Sequence, residues 1–186
     1  MNLSTEQAAA ANSGIRGSDQ IVIITGFAGC GKSVVCREII SKVQNILVCS
    51  QDGIAAQNIE GVTSCSQFGI PTSFQVNPKY KDARNQRKKD PAAARWNNTK
   101  RGLPKSDPFR FSPIKAEAIR VATHLLIDEA FRQSCWSTDF ISKTCQQERN
   151  CYSKPFGGLK VIFVGDDGQG QPILKGNDRE ELRQWD

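Results

Sequence analysis

The sequence predicts an α/β fold in which a parallel β-sheet carries helices on both faces. Short apolar runs at residues 20–25, 45–50, 125–129 and 160–166 alternate with segments of helical character. A glycine-rich loop follows the first run, and two acids end the third. Because the carboxyl ends of parallel strands share one edge of a sheet, we expect these groups to meet there, with right-handed crossovers between the strands.

The first predicted element is a helix that begins after Ser4. Ser4 suits an N-cap, and Gln7 stands three residues later, as a capping box requires. Gly14 and Gly17 mark the end of this helix. The apolar run at residues 20–25 then predicts the first strand.

Residues 26–33 follow that strand with the sequence Gly-Phe-Ala-Gly-Cys-Gly-Lys-Ser. The spacing G-x4-G-K-S is that of the phosphate-binding loop of nucleoside triphosphatases, whose backbone N–H groups surround a phosphate. Lys32 is expected to reach the β- and γ-phosphates, and Ser33 to supply an oxygen to Mg²⁺. The residues predicted to bind the nucleotide here are Gly26, Phe27, Ala28, Gly29, Cys30, Gly31, Lys32 and Ser33.

A second helix is predicted from Lys32 to about Val43, and the apolar run at residues 45–50 predicts a second strand. Residues 53–59 suggest a short helix that Gly61 ends.

Residues 70–112 form a basic, proline-containing insert. The chain of 186 residues has 25 Lys and Arg against 19 Asp and Glu, a net charge of +6. Between residues 79 and 120 there are thirteen basic and four acidic side chains, a net charge of +9, whereas the remainder carries −3. Such a segment is a candidate for binding nucleic acid, but charge runs more often belong to a solvated or disordered insert.

Ser112 and Pro113 predict the start of a helix to about Val121, which leads into the strand that ends at Asp128 and Glu129. Acids at a strand tip are most often merely solvated. Beside a phosphate-binding loop, Asp128 is instead expected to hold Mg²⁺ through water, and Glu129 to orient and deprotonate the attacking water.

Two further segments complete the chain. The residues after Glu129 are polar and show only weak helical signals. Beyond the last strand, Gln169 is placed to hydrogen-bond the γ-phosphate or the attacking water, although a polar loop is the simpler interpretation.

The seven cysteines include no C-x-x-C pair, and His124 is the one histidine, which argues against a zinc site and for free thiols in a reducing compartment. No apolar run approaches the roughly 20 residues that span a bilayer, and the N-terminus does not resemble a signal peptide. We therefore expect an intracellular protein, nuclear or cytoplasmic, with a mitochondrial location left open, and no membrane partner.

Together these motifs resemble the PIF-one type (petite integration frequency) of superfamily 1 DNA helicases, relatives of RecD. The resemblance is carried by four blocks, which cover nearly all of the chain except the insert and the segment after Glu129. The blocks are residues 3–7 with 24–33, residues 52–63 (Asp-Gly-Ile-Ala-Ala-Gln-Asn-Ile at their start) with 68–71, residues 125–129, and residues 154–166 (Lys-Pro-Phe-Gly-Gly-Leu at their start) with Gln169 and Pro172.

The resemblance implies an ATP-dependent DNA helicase of the 5′–3′ type, with ATP and Mg²⁺ as cofactors and single-stranded or forked DNA as partner. Such enzymes act in DNA repair, recombination and telomere maintenance. The resemblance further implies that Gln7 bonds adenine, although the capping box explains the same residue. It implies that Gln169 couples the γ-phosphate to the DNA.

The resemblance places residues 53–68 beside the single-stranded DNA, with Thr63 and Ser66 on phosphates. Phe68 is expected either to stack on a base or, more simply, to pack in the core. Asp52 replaces a usual threonine, and an acid near a DNA phosphate is repulsive. Residues 130–132, Ala-Phe-Arg, replace the usual Ile-Ser-Met.

Residues 1–186 are thus expected to form one RecA-like ATP-binding domain. Helicases of this type also use a second domain that carries arginine fingers, which we expect to be absent from this chain, leaving a weak ATPase that does not unwind DNA. The first alternative is a non-catalytic nucleic-acid-binding remnant of a helicase. Behind it ranks a P-loop kinase or another small NTPase, for which no acceptor-binding lid is visible.

Overall fold

The computed structural model describes residues 3–70, 112–166 and 168. Most of the basic insert (residues 71–111), and Gln169, lie outside the described residues, so the predictions made for them stay predictions. The helices are α1 (Thr5–Arg16), α2 (Lys32–Lys42), α3 (Gly53–Asn58), α4 (Ser64–Phe68), α5 (Pro113–Val121) and α6 (Cys135–Glu148). Two 3-10 turns span Ala130–Arg132 and Pro155–Gly158.

Within the described residues, five strands form one parallel sheet in the order β1-β5-β4-β2-β3. They are β1 (Ile21–Thr25), β2 (Ile46–Ser50), β3 (Val62–Thr63), β4 (His124–Asp128) and β5 (Lys160–Gly165). In register, Ser50 stands opposite Asp128 on one side and Thr63 on the other. The carboxyl ends of the strands therefore meet at one side of the sheet, called here the C-terminal edge.

Each face of the sheet buries its own apolar core. On one face, Leu126 and Ile162 pack with α1 and α2. On the other, Leu125, Ile127 and Val161 pack with α4, α5 and α6. The central strands β4 and β5 are therefore covered on both sides, and this fixes the positions of their carboxyl ends.

Most predicted elements are confirmed, and so is the α/β fold class. Ser4 caps α1 in a capping box, and Ser112 caps α5 with Pro113 in its first turn. The sequence did not predict the two-residue strand β3, and it did not define α6. Helix α6 is rich in Ser, Thr, Cys and aromatic residues, which favour helices weakly, so its burial against the sheet determines its structure. Among the described residues, no helix is long and apolar enough to cross a membrane.

Arg149 joins three elements behind the sheet. Its Nη1 lies 2.8–3.0 Å from the carbonyl oxygens of Ile119, Arg120 and Ala122 at the end of α5. Its Nε donates to the carbonyl of Gly157, 2.9 Å away, in the turn that leads into β5. A single guanidinium thus donates hydrogen bonds to the carbonyl groups at the end of α5 and to a carbonyl of the turn before β5.

Substituting Arg149→Met should lower the free energy of unfolding by about 2–4 kcal/mol, because several carbonyls lose a charged donor. Urea unfolding followed by circular dichroism measures this. The matched control is Arg37→Met, since Arg37 makes one exposed bond, to the carbonyl of Asn58, and its loss should cost about 1 kcal/mol or less. Equal losses in the two variants would contradict a special role for Arg149.

Candidate functional site

The glycine-rich loop leaves β1 and opens directly into α2. Gly29 and Gly31 have φ angles of +81° and +89°, a region that L-residues with side chains rarely adopt. Gly31 is the N-cap of α2, and no side chain caps that helix. The positive end of α2 and its first N–H groups are therefore available to an anion, as a phosphate-binding loop requires.

Gln7 connects α1 to this loop. Its Oε1 accepts from the backbone N–H of Ser4 at 3.0 Å, and Ser4 Oγ accepts from the N–H of Gln7 at 3.2 Å. Its Nε2 donates to the carbonyl of Cys30 at 3.0 Å. A methyl group at Gly31 would collide with Gln7 Nε2, so the glycine also makes room for this contact. The capping box is present, and the adenine contact stays a prediction.

Lys32 turns its ammonium group back over the loop. The Nζ donates to the carbonyl of Gly26 at 2.6 Å and to that of Phe27 at 3.0 Å. It also lies 3.6 Å from the carboxylate of Asp166, which is only 4% exposed. Lys32 is thus positioned by its own loop and by an acid of another strand.

Asp128 and Glu129 end β4 next to this lysine. Burial raises the pKa of Asp128 above its ordinary value, while a backbone hydrogen bond of Glu129 and the charge of Lys32 act in the opposite direction. Burial, then the charge of Asp128, raises the pKa of Glu129, and the charges of Arg132 and Lys32 oppose this. The structure therefore brings Lys32, Asp128 and Glu129 within electrostatic range of one another, as the motifs predicted.

The backbone of Glu129 is strained. Its φ angle is +53°, an uncommon value for a residue other than glycine, and the 3-10 turn Ala130–Arg132 follows at once. Phe131 in that turn packs on Gly165, where a methyl group would come within 2.5 Å of the ring. The tight turn redirects the chain directly after the acid pair.

Asp166 is a site residue to which the sequence reasoning gave no role. Strand β5 lies between β1 and β4, so the acid that follows it lies between the loop and the acid pair. Its Oδ2 faces Lys32, and its Oδ1 accepts from the N–H of Gly168 at 2.9 Å. The sequence carries for Asp166 the same signal as for Asp128, an acid at the tip of an apolar strand.

The predicted nucleic-acid residues lie at the far end of the same C-terminal edge. Thr63 caps α4, its Oγ1 accepting from the N–H of Ser66 at 3.2 Å, and Lys115 donates to the carbonyl of Ser66. Phe68 is 1% exposed and belongs to the core. The core-packing alternative for Phe68 is therefore the one that the structure supports, and stacking on a base is not available to it.

Asp52 and Arg132, two of the departures from the family pattern, contact each other. Asp52 Oδ1 caps α3 by accepting from the N–H of Ile54 at 3.1 Å, and its Oδ2 lies 3.2 Å from Arg132 Nη1. The charge of Asp52, which is expected to repel a DNA phosphate, therefore has a cationic partner in the structure, and the repulsion itself stays a prediction. The two residues are 80 positions apart in the sequence. The sequence feature that could have indicated their pairing is that both depart from the family pattern and carry opposite charges.

All seven cysteines are free thiols. Burial raises the pKa of Cys36 and of Cys49 to about 12, so these thiols stay protonated and unreactive at neutral pH. Cys30, in the phosphate-binding loop, is exposed. Its Sγ covers Gly26, where a methyl group would come within 2.6 Å of it.

The chain matches the family described as AAA domain over residues 2–184. It is similar to the ATP-dependent DNA helicase PIF1 of Emericella nidulans, with 31% identity over 87% of this chain and 19% of the relative. The ATP-dependent DNA helicase PIF1 of Saccharomyces cerevisiae is 29% identical over 85% of this chain and 16% of the relative. The chain thus spans less than a fifth of the length of these curated relatives.

Among solved structures, the Pif1 helicase from Bacteroides in complex with ADP-AlF3 and ssDNA is similar with a TM-score of 0.74 and 29% identity. The similarity covers 100% of this chain and 37% of that chain. These matches confirm the resemblance that the four motif blocks predicted. They also confirm the predicted P-loop NTPase fold.

Substituting Asp128→Asn should raise, not lower, the free energy of unfolding at pH 7 in the absence of metal and nucleotide. Burial disfavours the ionised form of this carboxylate, and the variant removes the cost of that charge. As the pH falls through the raised pKa, the folded wild type takes up a proton before the unfolded chain does. The advantage of the variant should therefore shrink, and it should vanish below the ordinary value of 3.8.

Urea unfolding between pH 3 and pH 8 tests this, with Asp139→Asn as the control. Asp139 is 44% exposed and forms an ion pair with Lys143, so its substitution should give no stabilisation at pH 7. A less stable Asp128→Asn protein at pH 7 would contradict the assignment of a buried, destabilising charge at this position.

Proposed function

Because this chain belongs to the AAA domain family, we propose that it is the nucleotide-binding, RecA-like part of an ATP-dependent DNA helicase. The observation that carries the proposal is the position of Lys32, which lies between its own glycine-rich loop and the acids at the tips of two neighbouring strands. The similarity to PIF1 helicases supplies the reaction class.

The loop and α2 are suited to a triphosphate. The uncapped helix N-terminus and the glycine backbone offer N–H donors, and the ammonium of Lys32 adds a positive charge that moves easily on a flexible side chain. Gln7, a residue of α1, already donates a hydrogen bond to the carbonyl of Cys30 in the loop. An adenine bound at Gln7 would therefore contact α1 next to the phosphate-binding loop. The Bacteroides Pif1 structure with ADP-AlF3 is consistent with this role for the loop.

The donor set fits Mg²⁺ that arrives with a nucleotide. Among the described residues, no three or more His, Cys, Asp or Glu side chains lie close enough to hold a metal ion by themselves. Mg²⁺ commonly binds through one or two protein oxygens together with phosphates and water; Ser33 would supply an oxygen to it, and Asp128 would hold it through water. Bound Mg²⁺ would neutralise charge on the phosphates.

Glu129 is the residue proposed to orient and deprotonate the attacking water. Its raised pKa makes it a better proton acceptor than an ordinary carboxylate, and it stands directly after the tip of β4. Gln169 is proposed to contact the γ-phosphate and couple it to DNA, as in the family motif. Asp166 holds Lys32 near the loop until phosphate replaces the carbonyls as its partner.

Single-stranded or forked DNA is the proposed polynucleotide partner, bound along residues 53–68. Thr63 and Ser66 stand at the C-terminal edge of the sheet, on the same side as the nucleotide loop. In the parallel sheet, β1 and β3 are four strand spacings apart, or about 19 Å, which leaves room for two ligands along one edge. Relatives solved with ssDNA support this assignment.

The complete helicase activity is proposed to require more than the residues present here. The PIF1 helicases of Emericella nidulans and Saccharomyces cerevisiae are more than five times as long as the matched region, and a second RecA-like domain with arginine fingers would close over the ATP. Alone, the chain is proposed to hydrolyse ATP slowly without unwinding duplex DNA. The proposed cellular role is in DNA repair, recombination and telomere maintenance, with 5′–3′ movement, in the nucleus or cytoplasm and with a mitochondrial location left open.

Substituting Lys32→Ala should weaken Mg-ATP binding at least tenfold, because a charged donor to phosphate is lost. Substituting Glu129→Gln should leave binding nearly unchanged and slow hydrolysis by about 10²- to 10⁴-fold, as expected for the loss of a general base. Fluorescent ATP titration and phosphate release measure the two effects.

Lys42→Met is the control for Lys32→Ala, since Lys42 pairs with Glu38 at the opposite end of α2. This variant should bind and hydrolyse ATP as the wild type does. Tight ATP binding by Lys32→Ala, or faster strand separation by the wild-type chain than by a buffer blank, would contradict the proposal of a nucleotide-binding half without a complete motor.

Alkylation of Cys30 should block nucleotide binding, because an added group on this exposed thiol fills the loop. The experiment compares ATP affinity before and after treatment with N-ethylmaleimide, with the site of modification confirmed by mass spectrometry. A Cys30→Thr protein should retain its affinity after the same treatment. Unchanged affinity in the wild type with Cys30 fully modified would refute this arrangement of the loop.

A further inference from the structure

The ion pair between Asp52 and Arg132 joins two loops at the C-terminal edge. Asp52 follows β2, and Arg132 closes the 3-10 turn that follows β4. These strands are neighbours, with Ser50 in register with Asp128. The pair therefore connects the start of α3, on the proposed DNA side, to the turn that directly follows the acids of the nucleotide site.

Both oxygens of the Asp52 carboxylate are used. Oδ1 accepts from the N–H of Ile54, which caps α3, and Oδ2 contacts Arg132 Nη1 at 3.2 Å. A threonine hydroxyl at this position would cap the helix as well. The aspartate therefore adds a charge that capping does not require, and the residue that meets this charge is itself a departure from the family pattern.

Stability does not explain the pair. Asp52 and Arg132 are 40% and 41% exposed, and ion pairs this accessible to water contribute little to folding. The position of the ion pair offers a better explanation for its presence. Thr63, a predicted DNA contact, stands beside Ser50 at the same edge, and Ser66 follows one turn later. An unpaired carboxylate here would repel the phosphates of a bound strand, whereas a paired one presents a neutral dipole.

We propose that Asp52 and Arg132 act as one charge-neutral unit at the DNA edge, in which Arg132 cancels the repulsion that Asp52 would exert on phosphates. Arg132 is thereby an affinity-determining residue for single-stranded DNA that need not touch the DNA. The inference rests on the proposed binding of DNA by residues 53–68. It requires that the two single substitutions have opposite effects.

The test measures the binding of fluorescein-labelled oligo-dT by anisotropy, without nucleotide, so that hydrolysis does not enter. Arg132→Met should weaken binding about fivefold, as expected for one charge exposed at contact distance in water. Asp52→Thr should tighten it by a similar factor, because the arginine is released toward phosphate. The double variant should lie within about twofold of the wild type, and all differences should shrink as salt is raised.

Two controls keep the result interpretable. Lys42→Met removes the same charge as Arg132→Met from a remote ion pair, so it should weaken binding less. Thermal unfolding of each variant shows that the fold is retained, and Asp52→Asn with Arg132→Gln repeats the comparison if either first variant is unfolded.

The outcomes separate the two proposals. A wild-type chain that does not bind oligo-dT at low salt overturns the proposed DNA binding and this inference with it. Wild-type binding with both single variants unchanged, both weakened, or Arg132→Met no weaker than Lys42→Met overturns the inference alone. Opposite shifts that cancel in the double variant support it.

Discussion

The contact of Lys32 with Asp166, 3.6 Å apart and almost removed from water, is the interaction around which the rest of the site is arranged. It joins the loop after β1 to the tip of β5, and β5 adjoins β4 with its two acids. Asp166 contacts the ammonium group, the charge of Lys32 also acts on the carboxyls of Asp128 and Glu129, and burial raises the pKa values of both. This excess of negative charge over the ammonium group of Lys32 is unfavourable by itself and favours a site that acquires a cation with its ligand.

The sheet makes this arrangement possible. Apolar cores on both faces hold β4 and β5, so their charged tips keep their positions although each tip is costly. The strained backbone at Glu129 is held in the same way, by the packing of Phe131 on Gly165. The free energy gained by packing the two apolar cores thus offsets the cost of backbone strain and buried charge at the C-terminal edge. Such a trade-off between a stable fold and a costly functional site is common in proteins.

Local features of the site could be predicted from the sequence, and features that depend on strand order could not. The phosphate loop, the Ser4 and Ser112 caps and the acid pair after β4 are encoded within a few residues, so their patterns are visible directly. The contact of Lys32 with Asp166 requires knowing that β5 lies between β1 and β4. The pairing of Asp52 with Arg132 likewise depends on β2 lying beside β4. Phe68 was ambiguous because an aromatic residue near a hydroxyl-rich turn suits either a base or a core, and only its burial decides between them.

The role of Lys32 can be tested by a crystal structure of the chain with Mg²⁺ and a non-hydrolysable ATP analogue. In that structure Lys32 Nζ should leave the carbonyls of Gly26 and Phe27 and contact the β- and γ-phosphates, with Ser33 and Asp128 as the residues that would hold Mg²⁺. A nucleotide bound elsewhere, with the ammonium still on those two carbonyls, would contradict it.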